Sequence, residues 1–436
     1  MKVMVLGSGG REHALSWKLA REGHELVCAP GNAGTAELRG ARNLPFDPED
    51  PAAVVAAARE TGTELVVVGP EAPLVAGVAD ALRAAGLPCF GPGAAAARLE
   101  SSKSFARAFM ERRAIPCART ARFSGPGAGT ELERFVAANP GRLVLKKSGL
   151  AAGKGVLESD DPGELLAFGR AVLADDELLA EEFLEGFELS VFGVSDGKEY
   201  ALLPAARDHK KAYEGDSGPN TGGMGAVAPE PRADLALMDS IRARLVEPTF
   251  SGMSAEGLAY RGVVFLGVMV TASGPKLLEY NVRFGDPETQ SLLPILPEGF
   301  GELLRGAAEG RLDPALVRAF ESRPERAACG FVVAAPGYPG PYPKGIAVRS
   351  LPEAENPRGL MFHASTTRAS DGILHTGGGR CFAAVGLGAD SARARENGLA
   401  LAAAVDFDGA RFRRDIGALG GRKRNGTWNS EGLSSG

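Results

Sequence analysis

Between Lys2 and Phe90 short apolar strands alternate with helices, and each strand runs straight into a glycine- or proline-rich loop. Periodicity predicts strands at Lys2–Leu6, Glu25–Ala29, Leu65–Val68 and Pro88–Phe90, and helices at Arg11–Glu22, Pro51–Glu60 and Leu74–Ala85. Leu65–Val68 is apolar at every position, as a strand buried on both faces must be. The alternation therefore demands a parallel sheet with helices on either side. Ligands bind such sheets outside the carboxyl ends of the strands. Here those ends carry the loops Gly7–Gly10, Pro30–Gly34, Gly69–Pro73 and Gly91–Gly93. The chain has 59 glycines in 436 residues, about twice the usual ~7%. Their clustering at strand ends points to backbone brought close to a small ligand.

Beyond residue 92 the pattern changes. One helix is predicted from Ala94 to Arg113, ended by Ile115-Pro116. Short strands at Leu143–Lys147, Gly155–Leu157 and Glu188–Val194 surround a helix near Pro162–Leu173. Val263–Val270 and Lys276–Asn281 form a hairpin across the turn Thr271–Pro275. Residues 327–417 hold short strands and a last helix near Ser391–Ala404. The polar tail 420–436 has the composition of a disordered segment. A formal net charge of −5 leaves no footprint for nucleic acid. No apolar run approaches the ~20 residues of a membrane span. The first residues carry no signal-peptide core, so a cytoplasmic protein is expected. The five cysteines are scattered, with no CxxC, and the five histidines show no metal-ligand spacing, which argues against disulfides and a zinc hydrolase.

Five segments carry candidate chemistry. Gly7-Ser8-Gly9-Gly10-Arg11-Glu12-His13 joins a strand to a helix, where backbone N–H groups favour a phosphate. A dinucleotide fingerprint would need glycine at Glu12 and an acid where Ala29-Pro30 stands. Sugar-phosphate binding, dinucleotide binding and a plain tight turn all remain open there. Lys146 lies inside an apolar strand, which is costly unless the charge is paired. It precedes the loop Gly149–Gly155 with Lys154, whose spacing is not that of a Walker A loop: it is either a lid over a triphosphate or an exposed basic loop. The run Glu181–Glu188 is either a solvated acidic face or a pocket in which Phe183-Leu184 packs a base and Glu188 takes ribose hydroxyls. Asp208-His209-Lys210-Lys211 and Gly218–Ala226 suit a loop folded over a polar ligand. On a strand, Glu279, Asn281 and Arg283 share one face. Two oxygen donors suit Mg²⁺ with phosphates completing its shell, and the arginine suits a carboxylate or a phosphoryl group. Together these point to ATP and magnesium on a fold without a P-loop.

The strings GSGGREHAL (Gly7–Leu15), GLAAGKGV (Gly149–Val156), GPNTGGMGA (Gly218–Ala226) and EYNVRFGDPETQ (Glu279–Gln290) resemble the phosphoribosylamine–glycine ligase family of ATP-grasp enzymes. GYPGPYPKG (Gly337–Gly345) and RRDIG (Arg413–Gly417) resemble it too, so the likeness spans about residues 1–417. It implies a mixed α/β and α+β chain. An N-terminal Rossmann-like parallel-sheet (pre-ATP-grasp) domain would span 1–100, ATP-grasp lobes 101–190 and 191–325, a small β-rich domain 326–419, and a tail 420–436. It implies that Lys103, Lys146, Gly153, Lys154, Gly155, Glu181, Glu182, Phe183, Leu184 and Glu188 bind ATP, and that Glu279 and Asn281 hold Mg²⁺ or Mn²⁺. Gly7, Gly9, Gly10, Arg11, Asp208, Asn220, Thr221, Gly222, Gly223, Met224, Arg283 and Asp286 would receive phosphoribosylamine and glycine, and Arg283, Lys146 and Asp208 would take part in catalysis. A monomer or weak dimer without nucleic-acid or membrane partners is expected. The alternative is another ATP-grasp carboxylate–amine ligase. Three departures from the family pattern stand out: Ser148 where an aspartate is usual, Arg207 where an amide is common, and Gly377–Cys381 in place of Ser-Gly-Gly-Arg-Val.

Overall fold

The structure, a computed structural model, describes residues 1–151 and 155–418. The N-terminal sheet has five parallel strands in the order Ala41–Asn43, Glu25–Pro30, Lys2–Gly7, Leu65–Val68, Cys89–Phe90. Val3 and Val5 pack with Leu15 and Leu19 on one face, while Met4 and Leu6 pack with Val54, Leu74 and Leu82 on the other. This two-sided burial is why the strand is apolar throughout. The edge strand Ala41–Asn43 has only three residues, two of them polar, and left no periodic signal.

Two predicted helices are broken. Leu74–Ala85 is instead Glu71–Val75 and Val78–Ala84, separated by Gly77 at φ +86°. Ala94–Arg113 is instead Ala94–Ser101 and Lys103–Arg112. Ser102 is extended between them, and its hydroxyl accepts the Phe105 N–H at 3.2 Å, capping the second helix. The break puts Lys103 at the first position of a helix.

Next comes a four-stranded antiparallel sheet, Thr120–Phe123, Leu178–Glu182, Leu143–Lys147, Val156–Ser159. Helices Ala128–Ala138 and Pro162–Leu173 cover it through Leu132, Val136, Leu165 and Val172. A second four-stranded antiparallel sheet runs Tyr200–Leu202, Phe187–Ser195, Gly262–Thr271, Gly274–Asn281. Its last two strands are the predicted hairpin. That hairpin contains a bulge: Gly267 pairs with Glu279 but Val268 pairs with Leu277, so Leu278 is the extra residue.

The C-terminal sheet orders its strands Arg207–Asp208, Gly225–Ala228, Ala327–Ala334, Arg380–Gly388, Gly359–His363, Glu355–Asn356. It therefore draws two strands from the middle of the chain. One core cluster runs from Val3 through Phe192 and Phe284 to Phe362 and Val385, joining the N-terminal sheet, the central sheet and the C-terminal sheet. Cys28, Cys89, Cys329 and Cys381 are buried, and all five cysteines are free thiols. Among the described residues no helix is long and apolar enough to cross a membrane.

Candidate functional site

A cleft of about 1460 Å³ opens between the two four-stranded sheets and the strand–loop Arg207–Gly222. It is lined by Lys103, Lys146, Gly155, Glu181, Glu182, Phe183, Leu184, Glu188, Asp208, Asn220, Thr221, Gly222, Glu279, Asn281, Arg283 and Asp286. Gly153 and Lys154 lie outside the described residues, as does the tail 420–436.

The bulge decides which way Glu279 points. Directly opposite residues of an antiparallel pair share a face. Leu277 faces as Val268 does and Glu279 as Gly267 does, so the extra residue puts them on opposite sides. Leu277 and Tyr280 are buried in the core, and Glu279 and Asn281 turn to the cleft. Burial alone would raise the Glu279 carboxyl, but Lys210, Lys146, Lys103 and Arg283 outweigh it and hold the group below the usual range. Asn281 Oδ1 accepts from Arg283 Nη2 at 3.2 Å, while its buried Nδ2 has no partner. Glu279 and Asn281 offer two hard oxygens, the donor type that magnesium takes. Four cations around them oppose a lone metal ion, so the set fits a divalent ion that arrives with a polyphosphate.

Arg283 lies past the end of its strand. Its guanidinium is held by Glu100 at 2.9 Å and Glu71 at 3.4 Å. All three of Glu279, Asn281 and Arg283 reach the cleft, but strand alternation places only the first two, since the strand ends at Asn281. Glu71 and Glu100 were not singled out from sequence; Glu71, inside the loop Gly69–Pro73, was the one with a positional signal.

Lys103 Nζ donates to the Gly149 carbonyl at 3.3 Å, and burial beside Lys146 lowers its pKa. Ser148 is buried against the same helix start: its hydroxyl accepts the Ser104 N–H at 3.2 Å and its carbonyl accepts the Lys103 N–H at 2.9 Å. Asp176 Oδ2 accepts the Gly149 N–H at 3.0 Å, supplying a carboxylate beside a position whose own side chain lacks one.

The acidic run is not one solvated face. Glu181 is 2% exposed and pairs with Lys146 at 2.8 Å and with Arg107. Burial would raise Glu182, but Arg119 and Lys276 hold it down, to about 2. Glu188 accepts from Lys210 at 2.8 Å. Phe183, Leu184, Phe187, Met269 and Leu278 supply apolar wall.

Deeper in, Asp208 is half-buried, and its buried Oδ1 lacks a partner. Desolvation, with the carboxylates of Glu288 and Glu188 nearby, raises it well above the carboxylate range. Gly223 sits against it at φ +108°, where a Cβ would come within 2.8 Å of Asp208 Oδ1 and 2.3 Å of Pro287 Cδ. Thr221 anchors the loop by donating to the Lys210 carbonyl at 2.8 Å. Arg380 donates to the Gly222 carbonyl at 2.6 Å and to Asp286 Oδ2 at 3.0 Å. The sequence placed Lys210 in a candidate segment and Arg380 in the string Gly377–Cys381 but gave neither a role.

Several expected residues sit elsewhere. Met224 is fully buried in the C-terminal core, so its side chain does not reach the cleft. Gly7, Gly9, Gly10, Arg11 and Gly223 do not line it. Arg11 is buried and donates to the Phe284 carbonyl at 3.2 Å. Glu12 explains the failed dinucleotide fingerprint: its carboxylate accepts the Gly9 N–H at 2.7 Å and caps the helix. It also packs against Gly7 and Gly69, where any Cβ would collide with it. Arg207 points its Nε toward Glu230 at 3.2 Å. Cys381 donates its thiol to the Gly378 carbonyl at 3.3 Å.

Three family models match the chain in order: phosphoribosylglycinamide synthetase N domain over residues 1–100, its ATP-grasp (A) domain over 101–289 and its C domain over 328–419. The chain is 44% identical to phosphoribosylamine–glycine ligase of Agrobacterium fabrum, covering 96% of this chain and 98% of that one. It is 42% identical to trifunctional purine biosynthetic protein adenosine-3 of Gallus gallus, over 95% of this chain, and spans 42% of that relative's length. The crystal structure of phosphoribosylamine–glycine ligase from Thermotoga maritima superposes with TM-score 0.81 at 35% identity, covering 95% of this chain and all of that one.

Proposed function

The chain belongs to the phosphoribosylglycinamide synthetase family of ATP-dependent ligases, and from that premise we propose that its cleft joins glycine to phosphoribosylamine, converting ATP to ADP and phosphate. The observation that carries this reading is the cluster of Lys103, Lys146, Lys210 and Arg283 around Glu279 and Asn281. That arrangement is built for a polyphosphate with a divalent ion, Mg²⁺ or Mn²⁺.

A free carboxylate is a poor acyl donor, so phosphate must be attached first. A glycine carboxylate oxygen attacks the γ-phosphorus and the bond to the bridging oxygen breaks, leaving ADP and glycyl phosphate. The amine of phosphoribosylamine then attacks the acyl carbon, loses a proton and expels phosphate. A divalent ion held by Glu279 and Asn281 would neutralise charge on the phosphates. Lys146 and Lys103 place those phosphates, and Arg283 faces the transferring group. Glu181, Glu182, Phe183 and Leu184 border the base, and Glu188 takes the ribose. Asp208, Asn220, Thr221, Gly222 and Asp286, which line the cleft, serve the amine and glycine side, with Asp208 available to the amine. The acyl phosphate hydrolyses in water, which favours chemistry deep in a cleft.

The same reading divides the chain at 1–100, 101–190, 191–325 and 326–419. It places the enzyme in the cytoplasm as a monomer or weak dimer. The test is ADP release with magnesium, phosphoribosylamine generated in situ, and glycine present or omitted. Release that needs both substrates is expected. Equal release with another amino acid, or none with any pair, overturns the assignment.

A further inference from the structure

Glu181 is sealed between two cations. Lys146 lies opposite Leu179 and Glu181 opposite Val144, so both side chains stand on one face of the sheet as diagonal neighbours. Lys146 Nζ is 2.8 Å from Glu181 Oε2. Arg107 holds the other oxygen, Oε1, from across the cleft wall. It stands one turn after Lys103 on the helix Lys103–Arg112, is 3% exposed, and has no other carboxylate within ion-pairing distance among the described residues.

The reading above assigns Lys146 to the nucleotide's phosphates, yet in this structure its charge is spent on Glu181. A buried carboxylate stripped of every counter-ion is strongly disfavoured. Lys146 can therefore leave only if something else stays. We propose that Arg107 is a positioning residue, the standing counter-ion of Glu181 that frees Lys146 to move from that carboxylate to the phosphates of ATP. This rests on the placement of ATP in the cleft. Neither the sequence motifs nor the expected ligand set includes Arg107. Its geometry suits such a role, because a helix-borne guanidinium keeps its place while a lysine on a flexible stem swings.

The test is binding of ATP with magnesium and of adenosine, by titration calorimetry on the whole chain. Arg107→Met should weaken ATP about tenfold or more and leave adenosine within about twofold, because only the phosphates lose their lysine. Arg107→Lys should recover most of the loss. Arg107→Met combined with Glu181→Gln should restore the ratio of ATP to adenosine affinity, since no carboxylate remains to detain Lys146. Arg107→Gln gives the same comparison if the methionine variant does not fold. Equal losses for ATP and adenosine, or a lower melting temperature with unchanged ATP affinity, overturn the proposal. So does a further fall of that ratio in the double variant, which would mean that Arg107 touches the nucleotide directly. Absence of ATP binding by the unaltered protein would instead overturn the ATP reading itself.

Discussion

Glu279 keeps its negative charge among four cations, and that balance makes its replacement informative. Glu279→Gln retains the shape and removes the charge that would face a divalent ion. We expect kcat for ADP release to fall about 10²-fold or more, with the melting temperature nearly unchanged; wild-type turnover would dismiss the metal assignment. Arg283 is different, because Glu100 and Glu71 depend on it. Arg283→Ala should cost about 3 kcal/mol of stability, as breaking a buried pair does, besides lowering kcat. Arg283→Lys keeps a charge beside Glu100 and should restore much of the stability while leaving turnover low. Urea melts and steady-state rates on the three variants separate these effects. Residue chemistry was legible here: carboxylate, amide and guanidinium in one short motif announced a charged site. The partners were not, since Glu100 and Glu71 lie some 180 and 210 positions away in sequence.

Elements hold these residues through their irregularities. The bulge at Leu278 separates a core-facing Leu277 from a cleft-facing Glu279. The extended Ser102 starts a helix at Lys103 instead of leaving that lysine mid-helix. Ser102→Ala should cost about 1 kcal/mol, the usual worth of an N-cap, seen as a lower urea midpoint. Because Lys103 would then sit on a frayed turn, the KM for ATP should rise as well; an unchanged KM would show that the cap serves stability alone. Apolar periodicity located the hairpin and the parallel strands because burial on a sheet face imposes it. It could not show the bulge, which depends on register against the partner strand, nor the helix breaks, since Ser102 and Gly77 are individually compatible with either conformation.

Across the whole molecule, His13 of the first helix and His363 of the C-terminal sheet meet in a joint interface. The His363 N–H donates to His13 Nδ1 at 2.9 Å, and the rings pack with Phe362 and Phe382. Burial depresses both, His13 to about 3 and His363 to about 4. Their folded values lie below the unfolded ~6.5, so the unfolded chain binds more protons as pH falls. Stability should thus be intact above pH ~6.5 and decline below it, by about 1.4 kcal/mol per pH unit for each histidine. Urea midpoints between pH 7 and 5 test this, and His13→Gln should take about 1.4 kcal/mol per pH unit off the slope; an unaltered slope would remove His13 as a source. The sequence by itself determined the parallel N-terminal sheet, the hairpin, and the family whose motifs it carries, because periodicity and local strings are properties of neighbours in the chain. Only the tertiary structure decided that Glu12 fills the space over Gly69, that Met224 belongs to the core, that two mid-chain strands join the C-terminal sheet, and that Arg107 faces Glu181. Each of these is a contact between distant segments or a choice of register, set by which faces the assembled core must bury.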